Sequence, residues 1–260
     1  MINVNLTGQT AVVTGASRGI GLAVTRALAA SGARVVAGAL HSSAELAKLA
    51  AEGPVTISEL DLAAPGGPAD LVALAGSRID ILVNNVGGAP PRTSGFLAIT
   101  DEEWLSTLNL NLMTAVRASR AALPAMLAAG RGAIVNICSV NSVLSDPAVM
   151  DYSAAKAAVA SFSKALSKEV GPKGVRVNTV SPGPVATDLW LGANGVAATV
   201  GQATGARPED VASSAASEMV TGRFSRPEEV ADLVLLLASD VTANVTGADI
   251  RIDGGLIPTW

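Results

Sequence analysis

The feature that most constrains the fold is the succession, near the N-terminus, of an apolar run, a glycine-rich turn and a helical segment. Ala11-Val12-Val13 predicts a buried strand, and the apolar spacing of residues 20–30 predicts a helix that stops at Ser31-Gly32. The turn between them, residues 15–21, has the sequence GASRGIG. Its glycines let the backbone turn sharply and approach a diphosphate, which can rest on the helix N-terminus. Taken alone, the glycines fit an ordinary loop as well.

This alternation of apolar strands and helical segments continues along the chain. Six further strands are predicted, at residues 34–39, 54–60, 79–83, 133–138, 175–180 and 248–252. One of the intervening helices is predicted to start at an Asp101 cap and to break before Pro124. Alternating elements give a parallel sheet with helices on both faces. We therefore predict an α/β fold, a doubly wound, seven-stranded parallel sheet in a single domain spanning 1–260.

A pair of polar residues in a later helical segment indicates acid–base chemistry. Tyr152 and Lys156 are four residues apart, so they share one face of the predicted helix. A phenol with its usual pKa of about 10 is a poor acid or base at neutral pH, and a neighbouring cation favours its ionised form. The pair therefore predicts a usable proton donor or acceptor, although the same spacing also occurs on ordinary amphipathic helices.

The accompanying motifs decide between these two interpretations. From about Gly8 to Gly255 the chain resembles the short-chain dehydrogenase/reductase family, whose glycine-rich turn has the G-x-x-x-G-x-G spacing seen here. The motifs that carry the resemblance stand in the family's order: Thr14 to Gly21, Asn84-Asn85-Val86-Gly87, Asn111, Ser139, Tyr152, Lys156, Pro182-Gly183 and Thr187. The resemblance implies a Rossmann-type fold and an NAD(P)-dependent oxidoreductase that acts on CH–OH donors.

The resemblance also implies four catalytic residues. Ser139 would hydrogen-bond the substrate carbonyl, Tyr152 would donate its proton, and Lys156 would lower the phenol pKa and bind the nicotinamide ribose. Asn111 would hold a water that relays protons to Lys156. Ser142 competes with Ser139 for its role, and Asn109 competes with Asn111.

The cofactor site implied by the resemblance draws on six stretches of the chain. Val86 stands where the family usually has alanine, and we interpret Asn84 and Asn85 mainly as ties between strands. Asp61-Leu62 matches the adenine-edge contact, and Val185 with Thr187 matches the carboxamide contact. The full set is Gly15, Ser17, Arg18, Gly19, Ile20, Gly21, Leu40, His41, Ser42, Asp61, Leu62, Asn85, Val86, Gly87, Tyr152, Lys156, Pro182, Gly183, Val185 and Thr187.

The residue that ends the second strand bears on the choice between NADP(H) and NAD(H). An acidic side chain there would bond the ribose 2′-hydroxyl, but this chain has Ala39 followed by Leu40. Arg18 in the glycine-rich turn supplies a guanidinium suited to a phosphate. We therefore favour NADP(H). An NAD(H)-dependent alcohol dehydrogenase and a non-catalytic NADP(H)-binding regulatory protein are the alternatives.

Three segments are predicted to line the substrate pocket. They are an irregular loop at residues 88–95, residues 140–150, and a substrate-covering segment around 188–222 with a short helix starting near Arg207. Their residues are mostly small and apolar, and the positive charges among them are Arg92, Arg207 and Arg223. This composition favours a neutral or hydrophobic ketone or a 3-oxoacyl-type substrate.

Bulk properties exclude several other classes of protein. The net charge of −4, without a run of Lys or Arg, argues against a nucleic-acid partner, and no apolar stretch is long enough to span a membrane. Cys138 and His41 are the only residues of their types, so a cysteine-based metal cluster is impossible, and no metal is predicted. Cys138 is interpreted as an inert core thiol. We expect a cytoplasmic protein and, from the resemblance, a homotetramer or homodimer.

Overall fold

A computed structural model describes residues 4–259, and its centre is one seven-stranded sheet in which all neighbouring strands run parallel. The strand order is β3-β2-β1-β4-β5-β6-β7, which confirms the predicted doubly wound α/β fold. The strands are β1 (Thr10–Thr14), β2 (Arg34–Ala39), β3 (Val55–Glu59), β4 (Ile81–Asn84), β5 (Gly132–Ile137), β6 (Val175–Pro182) and β7 (Asp249–Ile252).

Helices cover both faces of this sheet and enclose two apolar cores. Helices α1 and α10 contribute to the core on one face, and α3, α5 and α6 contribute to the core on the other. The α-helices are α1 (Gly19–Ala30), α2 (Ala44–Glu52), α3 (Gly67–Ala73), α4 (Asp101–Leu108), α5 (Thr114–Ala129), α6 (Met150–Val170), α7 (Asp188–Leu191), α8 (Val196–Thr204), α9 (Pro208–Ser217) and α10 (Pro227–Ala238). Within residues 4–259, none of these helices combines the length and apolar character needed to cross a bilayer.

The predicted strands agree with the structure because each is a short, largely apolar run, and all but β3 and β7 are almost completely buried. Strand β2 has the predicted bounds, and β6 extends two residues beyond its prediction to Pro182. Helix α2 was not predicted. Its start is marked by Ser43, whose Oγ accepts a hydrogen bond from the Leu46 amide, a common N-terminal cap.

The helical region after residue 100 differs from the prediction in two details. Thr100, not Asp101, is the cap, and it forms a reciprocal capping box with Glu103. The chain also does not break before Pro124, which lies inside α5. The proline and Arg120, four residues earlier, are both exposed, so the carbonyl that loses its helical partner faces solvent.

The break in this region occurs earlier, as a π-helical turn at Asn109–Met113 between α4 and α5. The Thr114 amide bonds the carbonyl of Asn109, five residues back. Such turns insert an extra residue into a helix and are frequent at functional sites. The turn carries Asn111, which is 2% exposed and faces the protein interior.

Arg176 on β6 is a structural cation that closes the end of α10. Its guanidinium donates hydrogen bonds to the carbonyls of Leu237 at 2.7 Å, Ser239 at 3.0 Å and Val245 at 3.3 Å. The last carbonyls of a helix lack helical partners and carry partial negative charge. A guanidinium there both donates the missing hydrogen bonds and neutralises that charge.

We predict that Arg176→Met lowers the free energy of unfolding by about 2 kcal/mol, because it leaves these partly buried carbonyls without a charged donor. Lys48→Met, which removes an exposed i,i+4 pair with Glu52, is the control and should cost less than about 0.5 kcal/mol. Urea unfolding followed by circular dichroism measures both. Equal stability of the two variants would contradict this account of Arg176.

Candidate active site

The predicted site residues follow the carboxyl ends of six neighbouring strands, β1 to β6. In open parallel sheets, ligands bind at this edge, next to the point where the strand order reverses. Here the order reverses between β1 and β4. Residues far apart in sequence therefore meet around one cleft.

The glycine-rich turn has a backbone that only glycines accommodate. Gly15 and Gly19 have φ values of 68° and 53°, in the left-handed region. A Cβ on Gly21 would collide with the carbonyl of Gly15, and a Cβ on Gly19 would lie 3.0 Å from Cγ2 of Thr187. The turn is thus compact, and it brings the start of α1 against the predicted carboxamide-binding residue. The cradle fits a diphosphate that approaches the α1 N-terminus.

Asn85 joins this turn to β4. Its Nδ2 donates to the carbonyls of Thr14 at 3.2 Å and Gly15 at 2.9 Å. Its amide donates to Thr14 Oγ1 at 2.9 Å. Val86 Cγ2 would lie 3.2 Å from a Cβ on Gly15, so the valine packs beside the turn. These contacts agree with the interpretation of the asparagines as ties between strands.

The four predicted catalytic residues form one group, in which Asn111 and Lys156 border Gly87. A Cβ on this glycine would lie 2.7 Å from Asn111 Oδ1 and 3.3 Å from Lys156 Nζ. Lys156 Nζ lies 5.6 Å from the centroid of the Tyr152 ring. Ser139 Oγ donates to Asn141 Oδ1 at 3.2 Å and lies close enough to Tyr152 to act on its pKa. The fold thus unites residues from the π turn, the end of β5 and helix α6.

The competing candidates are engaged elsewhere. Ser142 Oγ donates to the carbonyl of Ser139 at 2.7 Å, within its own 3₁₀ turn. Asn109 Nδ2 donates to the carbonyl of Ala63 at 2.9 Å and its Oδ1 accepts from Arg117 at 2.8 Å, so it has a structural contact with the loop after β3. Asn111, in contrast, bonds both the amide and the carbonyl of Gly88.

The pKa of Tyr152 differs from the expectation that Lys156 lowers it. Tyr152 is partly exposed as a residue, but the surroundings of its hydroxyl are desolvated, and this burial raises its pKa to about 12. The nearby Ser139 side chain acts in the opposite direction but is outweighed. Lys156 Nζ donates to the carbonyl of Ile137 at 2.8 Å and lies over the phenol ring. The structure therefore keeps the phenol protonated at neutral pH.

Burial also governs the groups beside the phenol. It lowers the pKa of Lys156, whose side chain is 4% exposed, because desolvation disfavours the ammonium. It raises the pKa of Cys138, whose Sγ donates to the carbonyl of Lys156 at 3.2 Å. The thiol is therefore protonated and enclosed, as predicted for a core cysteine.

At the opposite end of the cleft, an unpredicted carboxylate contacts the expected phosphate-binding loop. Glu59 ends β3 beside Ala39 of β2, and its Oε1 accepts a hydrogen bond from the Ser42 amide at 2.7 Å. Leu40 and His41 are exposed, as is Arg18, which lies 3.7 Å from Asp188. A sequence pattern gives no sign of Glu59 because its pairing depends on the β2–β3 register.

The remaining predicted cofactor residues lie along the same edge, with differing exposure. Leu62 is buried in the core, whereas Asp61 is exposed and its Oδ1 accepts from the Ala63 amide. Ile20 packs against the core of α1 and α10. The Ser17 carbonyl accepts a hydrogen bond from Ser43 Oγ, and the Val185 carbonyl accepts one from the Thr187 amide. Pro182 and Gly183 are closely packed.

The arginines predicted to charge the pocket are each paired with a carboxylate. Arg92 bonds Asp151 and Glu103, Arg207 bonds Asp210, and Arg223 bonds Glu229. The segment that contains Arg207 also holds three helices, α7, α8 and α9, where the sequence predicted one. Apolar side chains are exposed near it, among them Leu189, Leu191 and Val220, together with Val143 and Leu144 after β5.

Comparison with known proteins assigns the family. A family model described as enoyl-(acyl carrier protein) reductase matches residues 15–257. The 3-oxoacyl-[acyl-carrier-protein] reductase FabG of Thermotoga maritima is 35% identical, over 97% of this chain and 99% of that protein. The chain belongs to the short-chain dehydrogenase/reductase family. It is accordingly an NAD(P)-dependent oxidoreductase.

Other members of the family with close similarity act on different substrates, as their names state. The D-threitol dehydrogenase of Mycolicibacterium smegmatis is 37% identical, over 96% of this chain and 93% of its own. The structure of L-sorbose reductase from Gluconobacter frateurii, complexed with NADPH and L-sorbose, superposes with a TM-score of 0.90 at 31% identity and covers all of both chains. Similarity at this level shows the family and leaves the substrate to the site.

The high pKa of Tyr152 gives a direct spectroscopic prediction, because Tyr152 is the only tyrosine of the chain. Tyrosinate absorbance near 295 nm should appear only as the pH approaches about 12, above the usual value of about 10. A raised folded-state pKa means that this group stabilises the fold fully below the unfolded pKa, and that the stabilisation is lost as the pH rises through the folded pKa.

Far-UV circular dichroism on the same samples separates ionisation from unfolding, since an unfolded chain ionises at the ordinary pKa. Tyrosinate that forms around pH 10 while the secondary structure is intact would contradict the raised pKa.

Proposed function

We propose that this family member is an NADP(H)-dependent oxidoreductase that interconverts a neutral or hydrophobic ketone, or a 3-oxoacyl-type substrate, and its secondary alcohol. The observation that carries the proposal is that Asn111 and Lys156 border Gly87, that Lys156 lies over the Tyr152 ring, and that Ser139 is close enough to act on the pKa of Tyr152. A protonated phenol is the form that can donate to a carbonyl oxygen.

The chain's residues divide the work of carbonyl reduction. When bound, the nicotinamide supplies the hydride that reaches the carbonyl carbon. Ser139 and Tyr152 hydrogen-bond the carbonyl oxygen and stabilise the negative charge that develops there. The Tyr152 O–H bond then breaks and its proton moves to that oxygen, which gives the alcohol and a phenolate. The nearby Lys156 ammonium stabilises the phenolate. A proton then returns to the phenolate from solvent, by a route that passes Asn111.

Preference for NADP(H) is supported by the charges around the end of β2. Ala39 offers no carboxylate to the ribose. The Arg18 side chain is 76% exposed, and its long, exposed pair with Asp188 at 3.7 Å is weak enough to be exchanged for a 2′-phosphate. The NADPH complex of the similar L-sorbose reductase agrees with this choice. Glu59 argues against a preference for NADP(H). Its carboxylate already accepts the hydrogen bond of the Ser42 amide, which would otherwise be available to the 2′-phosphate. That contact is the observation that favours the alternative, an NAD(H)-dependent alcohol dehydrogenase.

A neutral substrate is supported by the pairing of the pocket arginines and by the exposed apolar side chains near the cleft. No cation of the predicted pocket set, Arg92, Arg207 and Arg223, lacks a carboxylate partner. An anionic substrate would have to separate one of these pairs. Exposed leucines and valines suit an alkyl or acyl chain rather than a polyol, whose hydroxyl groups need hydrogen-bonding partners.

We further propose that residues 188–222 cover the substrate and that the protein forms a homotetramer. The first helix of that segment, α7, follows Thr187 directly, so its movement would open and close the nicotinamide end of the cleft. Phe96, Leu97 and Leu105 expose apolar surface on and beside α4, which supports burial against a second copy. Light scattering that finds an active monomer would overturn the tetramer. The cytoplasmic location stays a prediction.

We predict that Tyr152→Phe lowers kcat/KM for ketone reduction by about 100-fold or more, because it removes the proton donor. The affinity for NADPH, measured by fluorescence titration, should change little. Ser142→Ala is the matched control, since Ser142 Oγ donates within its own turn, and it should retain most activity. The substrate panel contains alkyl ketones, a 3-oxoacyl thioester, an enoyl thioester, and a ketose together with the corresponding polyol. Turnover by the phenylalanine variant at the parent rate would overturn the role of Tyr152.

A second prediction concerns cofactor choice. Arg18→Met should weaken NADPH binding by about 5-fold, because it removes an exposed charge from the 2′-phosphate, and should leave NADH binding unchanged. Glu59→Gln should strengthen NADPH binding, because it removes a negative charge and keeps the side-chain shape. Parallel titrations of both variants with both cofactors measure the effects. Equal changes for NADPH and NADH would show that neither residue faces the 2′ position.

A further inference from the structure

Arg92, in the loop between β4 and α4, makes contacts that the proposed chemistry does not account for. Its Nε and Nη2 donate to Oδ2 of Asp151 at 3.0 Å and 2.5 Å, and its Nη1 donates to Glu103 at 2.8 Å. Its amide donates to the carbonyl of Ala148 at 2.6 Å. The side chain of this loop residue is thus bound to the start of α6, and its main chain to the short turn just before α6.

Asp151 is the residue immediately before Tyr152, and its side chain is fully buried. Thr107 of α4 also donates to its Oδ2, at 2.7 Å. Burial raises the pKa of Asp151, but the hydrogen bonds from Arg92 and Thr107 outweigh burial and hold it below its usual value. Asp151 is therefore a buried anion whose compensation comes from the loop and from α4.

The same contacts close a ring that includes a second catalytic candidate. Asn111 bonds the amide and carbonyl of Gly88, at the beginning of the Arg92 loop, and donates to the carbonyl of Thr107. The path from Tyr152 through Asp151 and Arg92 to Gly88 and Asn111 consists of covalent and hydrogen bonds throughout. Both catalytic candidates therefore have one anchored loop in common.

We propose that Arg92 is a positioning residue that holds Tyr152 and the 88–95 loop in the geometry required for proton transfer. The proposal rests on the proposed function of Tyr152. Arginine suits this position because its planar guanidinium bonds two carboxylates and stays charged, which a lysine ammonium on a flexible stem does not reproduce. A displacement of about 1 Å at a reacting group lowers a rate by about 100-fold, so the anchor matters even though Arg92 acts through Asp151.

The test must separate positioning from simple stability, because Arg92→Met leaves Asp151 as an uncompensated buried charge and lowers Tm. The double variant Arg92→Met/Asp151→Asn removes that charge while the loop stays unanchored. We expect Tm to recover in the double variant and kcat to stay about 10- to 100-fold below the parent value. The Kd for NADPH should stay within 2-fold of the parent, since Tyr152 is the one member of the ring that belongs to the predicted cofactor set. Recovery of kcat together with Tm would overturn the proposal.

A matched control lies at the amino ends of the strands, opposite the candidate site. Arg78 likewise bonds a buried carboxylate, that of Asp80, which also contacts Arg131 and the Thr10 amide. Arg78→Met should lower Tm and leave kcat unchanged. Arg92→Lys tests the geometry with the charge kept, and we expect a reduced kcat at near-parent Tm; parental kcat in this variant would count against the proposal.

Hydrogen exchange supplies a readout that does not need turnover. In the double variant, amides of residues 88–95 and 147–153 should exchange faster than in the parent, whereas those of α10 should not change. Unchanged exchange in the loop would overturn the anchoring role even if no ketone in the panel is reduced. Absence of ketone turnover by the parent would instead count against the proposed function, so the two failures are distinguishable.

Discussion

Two opposite charges buried near the start of α6 set the geometry of the whole site. Asp151 is fully buried and Lys156 is 4% exposed, and each would be costly without compensation. The carboxylate bonds Arg92 and Thr107, and the ammonium bonds the carbonyl of Ile137 at the end of β5. Between these two fixed points lies Tyr152. Its position therefore follows from where the two charges find partners and not from contacts of the phenol alone.

This arrangement explains why the carboxyl edge of a parallel sheet is suited to acid–base chemistry. The edge presents main-chain carbonyls and amides at strand ends, and the helices that cover the sheet exclude water from it. A cation placed there can still donate to a main-chain carbonyl, but it loses contact with water. This desolvation disfavours the charged form and lowers the pKa, as for Lys156. The same desolvation disfavours the phenolate, so the pKa of the phenol rises.

Much of the fold was predictable because the core is made of short apolar runs. Each buried strand, such as Arg34–Ala39, shows as a run of Val, Ile and Ala between turn residues, and alternation with helices fixes the parallel topology. Helix α2 was missed although Leu46 and Leu49 have helical spacing and pack on the core of α1 and α10. The π turn was missed because i→i+5 bonding has no characteristic composition, although Asn111 itself was identified.

The candidate site was predicted as a set of residues but not as a set of contacts. Motif order identified the Tyr152 helix and the glycine-rich turn, whose backbone demands are local. Arg92 was interpreted as a pocket charge, and Glu59 was not considered at all. Their partners, Asp151 and Ser42, are 59 and 17 residues away in sequence, and tertiary folding alone brings them together.

The protonation state of the phenol follows from this geometry. At neutral pH a phenol with a pKa near 12 is almost entirely protonated, so it is ready to donate to a carbonyl and poorly prepared to accept from an alcohol. Oxidation of an alcohol needs the phenolate, which requires either higher pH or additional positive charge near the hydroxyl. The ammonium of Lys156 is the nearest source of that charge, and here its hydrogen bond goes to Ile137 instead. The arrangement of α6 and β5 thus presents the phenol as a proton donor.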